Sequence, residues 1–306
     1  MFKFATAALI ALLPLGAQAQ DLTRLGYGYL LTNDFIGDGQ DRWRTGSVTS
    51  SRVWGRGAAQ DWTGALPERF GDLIELRLGA QIIAPENLEN PDPADRPYAG
   101  ALSLGLHSHF QSRGLDLSVG GDLVFVGPST GLDGFHNALH SAVGGPDISD
   151  AVRDGQIGNG IYPTVVVEAG RSFALGDSVL RPFVEGRAGA ETMVRAGFDM
   201  RWGGLEQGAL LVRDPVSGQQ YRAIDGGTTG TGFVLGADVA HVADSVFLPS
   251  DRGFDPRDTR VRARAGIEWR NDTGGGVFYG VSYLGEEFEG QGEGQFVGSF
   301  RANFRF

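Results

Sequence analysis

The sequence predicts an all-β protein, a twelve-stranded antiparallel transmembrane β-barrel with one short helix in an outer loop. Three observations lead there. At the C-terminal end, Phe296, Gly298, Phe300, Ala302, Phe304 and Phe306 share one face, and Val297, Ser299, Arg301, Asn303 and Arg305 share the other. Successive strand side chains point to opposite faces, so this segment has one apolar and one charged face, as a lipid-facing barrel strand requires. At the N-terminal end, Met1–Ala19 joins Lys3, an apolar run from Phe4 to Leu15 and the small-x-small ending Ala17-Gln18-Ala19. That pattern reads as a secretory signal peptide over 1–19, with one domain over 20–306. No later apolar run approaches the ~20 residues of a membrane helix. A membrane-embedded chain of this kind crosses with strands.

In order, strands are expected at 23–33, 43–54, 72–84, 97–110, 114–126, 160–173, 178–188, 191–203, 230–243, 259–270, 275–286 and 295–306. The alternation justifies them. Ile74, Leu76, Leu78, Ala80 and Ile82 oppose Glu75, Arg77, Gly79 and Gln81. Leu102, Leu104, Leu106 and Phe110 oppose Ser103, His107 and His109. Leu180 and Val184 oppose Arg181, Glu185 and Arg187. Val261, Ala263, Ala265, Ile267 and Trp269 oppose Arg260, Arg262, Arg264, Glu268 and Arg270. Each Arg on a lipid face near the midplane would cost about 2–4 kcal/mol, so the charged faces belong to the lumen. Gln111–Arg113, Ala174–Asp177 and Asn271–Gly274 read as short turns at one end; Gly55–Gly71 is long for that end. The expected helix is Leu132–Val143.

The charge balance points away from nucleic acid, which needs a basic face: 26 Lys and Arg stand against 37 Asp and Glu, a formal charge of -11. There is no cysteine, hence no disulfide framework. A monomer in the bacterial outer membrane is the expectation. Strand parity brings the connections Asp34–Arg42, Pro85–Arg96 and Gly127–Asn159 to one rim. With a periplasmic N-terminus, that rim faces the outer leaflet and its lipopolysaccharide.

Three clusters at that rim carry chemistry. Asn33, Asp34, Asp38, Asp41 and Thr45 offer hard oxygens of the kind Ca²⁺ takes; an Asx-rich turn uses the same residue types. His136 and His140 are four apart, on one helix face. They read as a metal pair, as one general base, or as wet surface histidines. In Asp95-Arg96-Pro97-Tyr98-Ala99-Gly100, Arg96 reads as a phosphate ligand or as a rim ion pair with Asp95, beside an interfacial Tyr98. Gly127-Pro128-Ser129-Thr130-Gly131 matches G-x-S-x-G, but the nucleophile elbow belongs to a parallel α/β sheet that an alternating chain does not build. Gly290-Gln291-Gly292-Glu293-Gly294 has no following helix and reads as a hairpin loop. His107 and His109 read as lumen packing.

At these clusters the sequence resembles the outer-membrane lipid A deacylases, the family that removes the 3′-linked acyloxyacyl chain of lipid A. The resemblance rests on Asn33-Asp34 ending a first strand, on Asp41-Arg42-Trp43-Arg44-Thr45-Gly46 for Asp-x-Tyr-Thr-x-Gly, and on Asp95–Gly100. It continues with Gly127-Pro128, with His136-Asn137-Ala138-Leu139-His140 for Gln-Asn-x-x-His, and with Asp154-Gly155-Gln156-Ile157. His136 replaces the family's Gln, and Gly144-Gly145-Pro146 stands where an acidic residue is usual. The resemblance implies a Ca²⁺-dependent esterase at the outer rim, with lipid A of lipopolysaccharide as substrate. His140 would be the general base, with Asn33, Thr45, Asn137 and Gln156 around the ester. Asp34 and Asn33 would hold the metal, and Arg96, Arg42 and Arg44 would meet lipid phosphates. The alternatives are a non-catalytic structural or diffusion barrel and a phospholipase with a Ser129 nucleophile.

Overall fold

The computed structural model describes residues 22–304. The signal peptide read over 1–19, and Arg305 and Phe306 of the last strand, lie outside those residues. The wall is built from β1 (Thr23–Asn33), β2 (Trp43–Gly55), β3 (Leu73–Ala84), β4 (Ala99–Ser112), β5 (Leu115–Val126) and β6 (Gly160–Gly170). A three-residue strand, β7 (Phe173–Leu175), extends β6. The wall continues with β8 (Ser178–Ala188) and β9 (Glu191–Trp202). Two further strands, β10 (Leu210–Arg213) and β11 (Gln220–Ile224), leave the wall. It is completed by β12 (Gly230–Ser245), β13 (Thr259–Arg270), β14 (Gly276–Leu284) and β15 (Gln295–Asn303). Every pairing is antiparallel. β6 meets β8 from Val165↔Ala188 to Gly170↔Phe183, and β1 meets β15 from Leu31↔Phe300 to Asn33↔Gly298. A twelve-stranded antiparallel barrel is thereby closed.

The alternation sorts as charge and lipid demand. Leu78, Leu104, Leu123, Val165, Leu235 and Ile267 are exposed on the outer surface. Their neighbours in sequence fill the lumen and pair with each other. Arg264 spans Asp199 and Asp238 (2.6 Å to each), Arg262 meets Asp238 (3.0 Å), and Arg213 joins Asp199 and Glu168 (2.8 and 2.7 Å). His107 pairs with Asp122 and His109 with Glu75 (2.8 and 2.7 Å), as lumen packing.

Two elements depart from expectation. The segment 204–229, which lies between two expected strands, folds back into the barrel as the β10–β11 hairpin, in register from Leu210↔Ile224 to Arg213↔Gln220. Every residue of β11 is buried, polar and apolar alike, so no alternation marks it. The hairpin builds a core with Leu30, Val53, Leu73 and Phe278. The outer loop also holds a second helix, α2 (Asp150–Gly155), beside the expected α1 (Leu132–Val143). Six residues are too few for a periodic signature; Ser149 caps it by accepting from the Val152 N–H (3.4 Å).

The helices pack on the outside of the wall. Ile82 and Ala84 share the outward parity of Leu78, yet both are buried. They cluster with Leu88, Tyr98, Ile148, Val152 and Leu132. Gly100 stands opposite Ile82 on the same face. A Cβ there would lie 2.9 Å from the Leu132 Cβ, so glycine lets α1 seat directly on β4. The other side of α1 exposes Phe135, Leu139 and Val143, spaced by four as an apolar stripe. His136 and His140 are buried between helix and wall.

Candidate active site

The loop between β1 and β2 is tied by Asp34. Its backbone carbonyl accepts from the N–H groups of Gly37, Asp38 and Gly39 (2.7, 2.9 and 3.2 Å). Its Oδ1 accepts from the Phe35 N–H (2.9 Å) and the Thr45 hydroxyl (3.2 Å), and its Oδ2 from the Arg42 N–H (2.7 Å). Asn33 adds a bond from Nδ2 to the Thr45 carbonyl (2.7 Å). This is the Asx-turn architecture the residue types favour. Asp34 also carries a second signal. Burial, helped by the charges of Asp41 and Asp38, pushes its carboxyl up to about 8, against bonds from Arg42 and Thr45 that favour the ion. No cationic side chain pairs with it among the described residues. The Thr45 hydroxyl contacts the carboxylates of both Asp34 and Asp41 but has one proton to give. Two carboxyl groups, an amide and a hydroxyl thus concentrate hard oxygen in one buried loop. In donor chemistry the set fits a hard divalent cation such as Ca²⁺.

The loop brings Asp41 under α1. His140 Nε2 lies 2.8 Å from Asp41 Oδ2, and His136 Nε2 lies 3.6 Å from Asp41 Oδ1. The imidazoles meet edge to face at 4.2 Å between centroids. His140 Nδ1–H donates to the Pro146 carbonyl (2.6 Å), which leaves Nε2, on the Asp41 side of the ring, as the nitrogen with the lone pair. Gly144, left-handed at φ 79°, ends the helix and turns the chain back. Gly145 lets the returning backbone pass the ring, since a Cβ there would lie 3.0 Å from His140 Cγ. Tyr98 stacks on His136 at 6.0 Å, with its hydroxyl 3.4 Å from Nδ1. Burial tends to raise Asp41, but contacts with His136 and Thr45 and the nearby imidazoles outweigh it and hold the carboxyl below its ordinary value.

Asn33, Asp34, Thr45 and His140 therefore converge. Asn137 and Gln156 act as braces: Asn137 Oδ1 accepts from the Ile148 N–H (2.8 Å), and Gln156 Nε2 donates to the Arg153 carbonyl (2.9 Å). The three arginines are engaged by carboxylates. Arg96 is buried against Glu287 (2.5 Å), Arg44 against Glu287 and Glu191 (2.9 and 3.3 Å), and Arg42 joins the exposed Glu86 and Glu293 (3.1 and 2.8 Å). Of the three, only Arg42 has solvated partners it can exchange for a phosphate. Tyr98 is buried beneath α1 rather than standing in an aromatic girdle. Ser129 is exposed, and its backbone N–H donates to Asn159 Oδ1 (2.8 Å); its hydroxyl has no hydrogen bond to a base among the described residues. Sequence reasoning missed Asp41 as the partner of both histidines and the Pro146 carbonyl as the group behind His140. The run Gly144-Gly145-Pro146 was the available signal for the second.

Comparison with known proteins gives the family and the fold. A family model described as "Outer membrane protein LpxR" matches residues 4–306. The solved structure of LpxR from Salmonella typhimurium superposes with a TM-score of 0.70 at 16% identity, covering 92% of this chain and 100% of that one. The β domain of the Bordetella autotransporter BrkA gives a TM-score of 0.38 at 12% identity, covering 92% of this chain and 100% of that one. No curated protein sequence matches.

Proposed function

This chain belongs to the outer membrane protein LpxR family, and on that premise we propose that it is a lipid A 3′-O-deacylase working at the outer rim of the barrel. The observation that carries the reading is the position of His140. It is packed between α1 and the outer wall with Nε2 beside the Asp41 carboxylate, on the side of the barrel that a lipid ester reaches sideways from the leaflet. His140 takes a proton from the attacking water, and the Pro146 carbonyl holds the ring in the tautomer that can do so. Asp41, 2.8 Å away, stabilises the imidazolium that results. The apolar stripe of Phe135, Leu139 and Val143, exposed on the far side of α1, offers the lipid a contact surface. Asp34, Asn33 and Thr45 would hold Ca²⁺, which supplies a charge for the ester oxyanion. Arg42 would meet a lipid phosphate by exchanging its exposed glutamates.

The alternatives fit less well. The β10–β11 hairpin occupies the lumen that a diffusion pore needs open, and exposed Ser129 lacks a base. The test is purified protein with lipid A and Ca²⁺ in detergent, read by mass spectrometry of released fatty acids. Release of a 3′-acyloxyacyl chain is expected, with loss in excess EGTA. Intact lipid A after prolonged incubation with folded protein would reject the reading.

A further inference from the structure

We propose that Asp41, His136 and His140 form a binding site for one borderline-soft divalent ion of the Zn²⁺ and Co²⁺ class, distinguished by its two nitrogen donors from the neighbouring all-oxygen set with which it shares Asp41. The three donor atoms lie within 4.8 Å of one another. Both imidazoles present Nε2 to the same carboxylate. Behind His140, Nδ1–H donates to the Pro146 carbonyl (2.6 Å), and behind His136, Nδ1 lies 3.4 Å from the Tyr98 hydroxyl. Metal-ligating histidines carry this kind of outer partner, which fixes the ring and turns the other lone pair to the ion.

The second observation is Asp41 Oδ2. It is a buried carboxylate oxygen with no hydrogen bond among the described residues. Its approach to His140 Nε2 at 2.8 Å is not a hydrogen bond, so a carboxylate oxygen and a ring nitrogen lie close with no proton shared between them. A cation between them resolves that contact. Two imidazole nitrogens and one carboxylate suit Zn²⁺, Co²⁺ or Ni²⁺ and leave positions open toward the cleft. Ca²⁺ selects oxygen and does not compete well for them. His136 decides the matter, because an amide at that position would remove one nitrogen donor. A consequence rests on the proposed deacylase reading: an ion held by His140 Nε2 occupies the lone pair that accepts the proton, so Zn²⁺ suppresses turnover.

The experiment titrates Co²⁺ into the purified full-length barrel in detergent, with Ca²⁺ in large excess, and follows the visible absorption of the bound ion. One equivalent is expected, displaced by Zn²⁺. His136→Gln and Asp41→Asn should each weaken binding by about tenfold or more. Heat-modifiable migration shows that each variant is folded. Absence of binding by wild type, or the same affinity in folded His136→Gln, overturns the site. In a parallel deacylation assay Zn²⁺ should slow wild type, and about tenfold more Zn²⁺ should be needed to slow the residual rate of His136→Gln. Co²⁺ binding in a protein that never releases a fatty acid would sink the deacylase reading and leave the site standing.

Discussion

Replacing Gly100 by Val should disable the site while leaving the barrel intact. Position 100 is on the outer face of β4, and a β-carbon there would meet Thr130 Oγ1 at 2.6 Å and Leu132 Cβ at 2.9 Å. Carbon atoms in good contact sit about 3.5–4.0 Å apart, so the start of α1 must retreat by roughly 0.6–1 Å. His136 and His140 ride on that helix, and Asp41 does not. The displacement therefore opens the 2.8 Å approach of His140 to Asp41 and moves the base relative to the ester. A misplacement of about 1 Å costs about 10²-fold in rate. The assay is initial-rate deacylation of lipid A in detergent, with heat-modifiable migration as the folding control. Gly121→Val is the matched comparison on the exposed outer face of β5, where a Cβ meets only the Thr164 carbonyl at 3.6 Å; it should retain the wild-type rate. A folded Gly100→Val barrel that works at the wild-type rate would refute the claim that helix seating on the wall positions the base.

Three further outcomes are expected. His140→Ala should lose about 10²–10⁴-fold in rate, whereas Ser129→Ala should keep it; an acyl-enzyme trapped on Ser129 would reverse that assignment. Asp34→Ala should abolish Ca²⁺ dependence far more completely than Asp38→Ala, whose carboxylate accepts from the Gln40 and Phe296 N–H groups; Ca²⁺ titrations of both variants read the difference. Glu287 has its carboxyl held well below the ordinary range: burial opposes ionisation, but Arg44, Arg260 and Arg96 outweigh it. Its stabilisation is therefore complete above the ordinary glutamate value of 4.5 and is lost only as acid takes the pH through the lower folded value. Glu287→Gln should destabilise the folded form by about 3–5 kcal/mol, because three guanidinium groups lose a buried partner. The urea midpoint should show that deficit unchanged from neutral pH to about 5 and shrinking in stronger acid.

The wall was legible because a barrel strand writes its environment in alternate residues. Arg262 and Arg264 against Val261 and Ala263 leave one arrangement that avoids charge in lipid, and strand edges fell within a few residues of the expected ones. The β10–β11 hairpin was not legible, since a segment buried in a polar lumen has no face to distinguish. Rim topology was enough to bring Asp34 and His140 together across about a hundred residues. The partner of a side chain was harder to read: Arg96 follows Asp95 in sequence, but its guanidinium reaches Glu287, brought to it by barrel closure. Asp41 looked like one more turn carboxylate until α1 folded down outside the wall and placed two imidazoles over it.

The proposed general base of lipid A deacylation is His140, packed between α1 and the outer wall. The most direct measurement is mass spectrometry of lipid A from outer membranes of cells carrying wild-type protein or His140→Ala, each verified as folded by heat-modifiable migration. Wild type should yield lipid A lighter by the 3′-acyloxyacyl chain, and His140→Ala should leave it whole. Unmodified lipid A in both, or the same truncated product in both, would contradict the account.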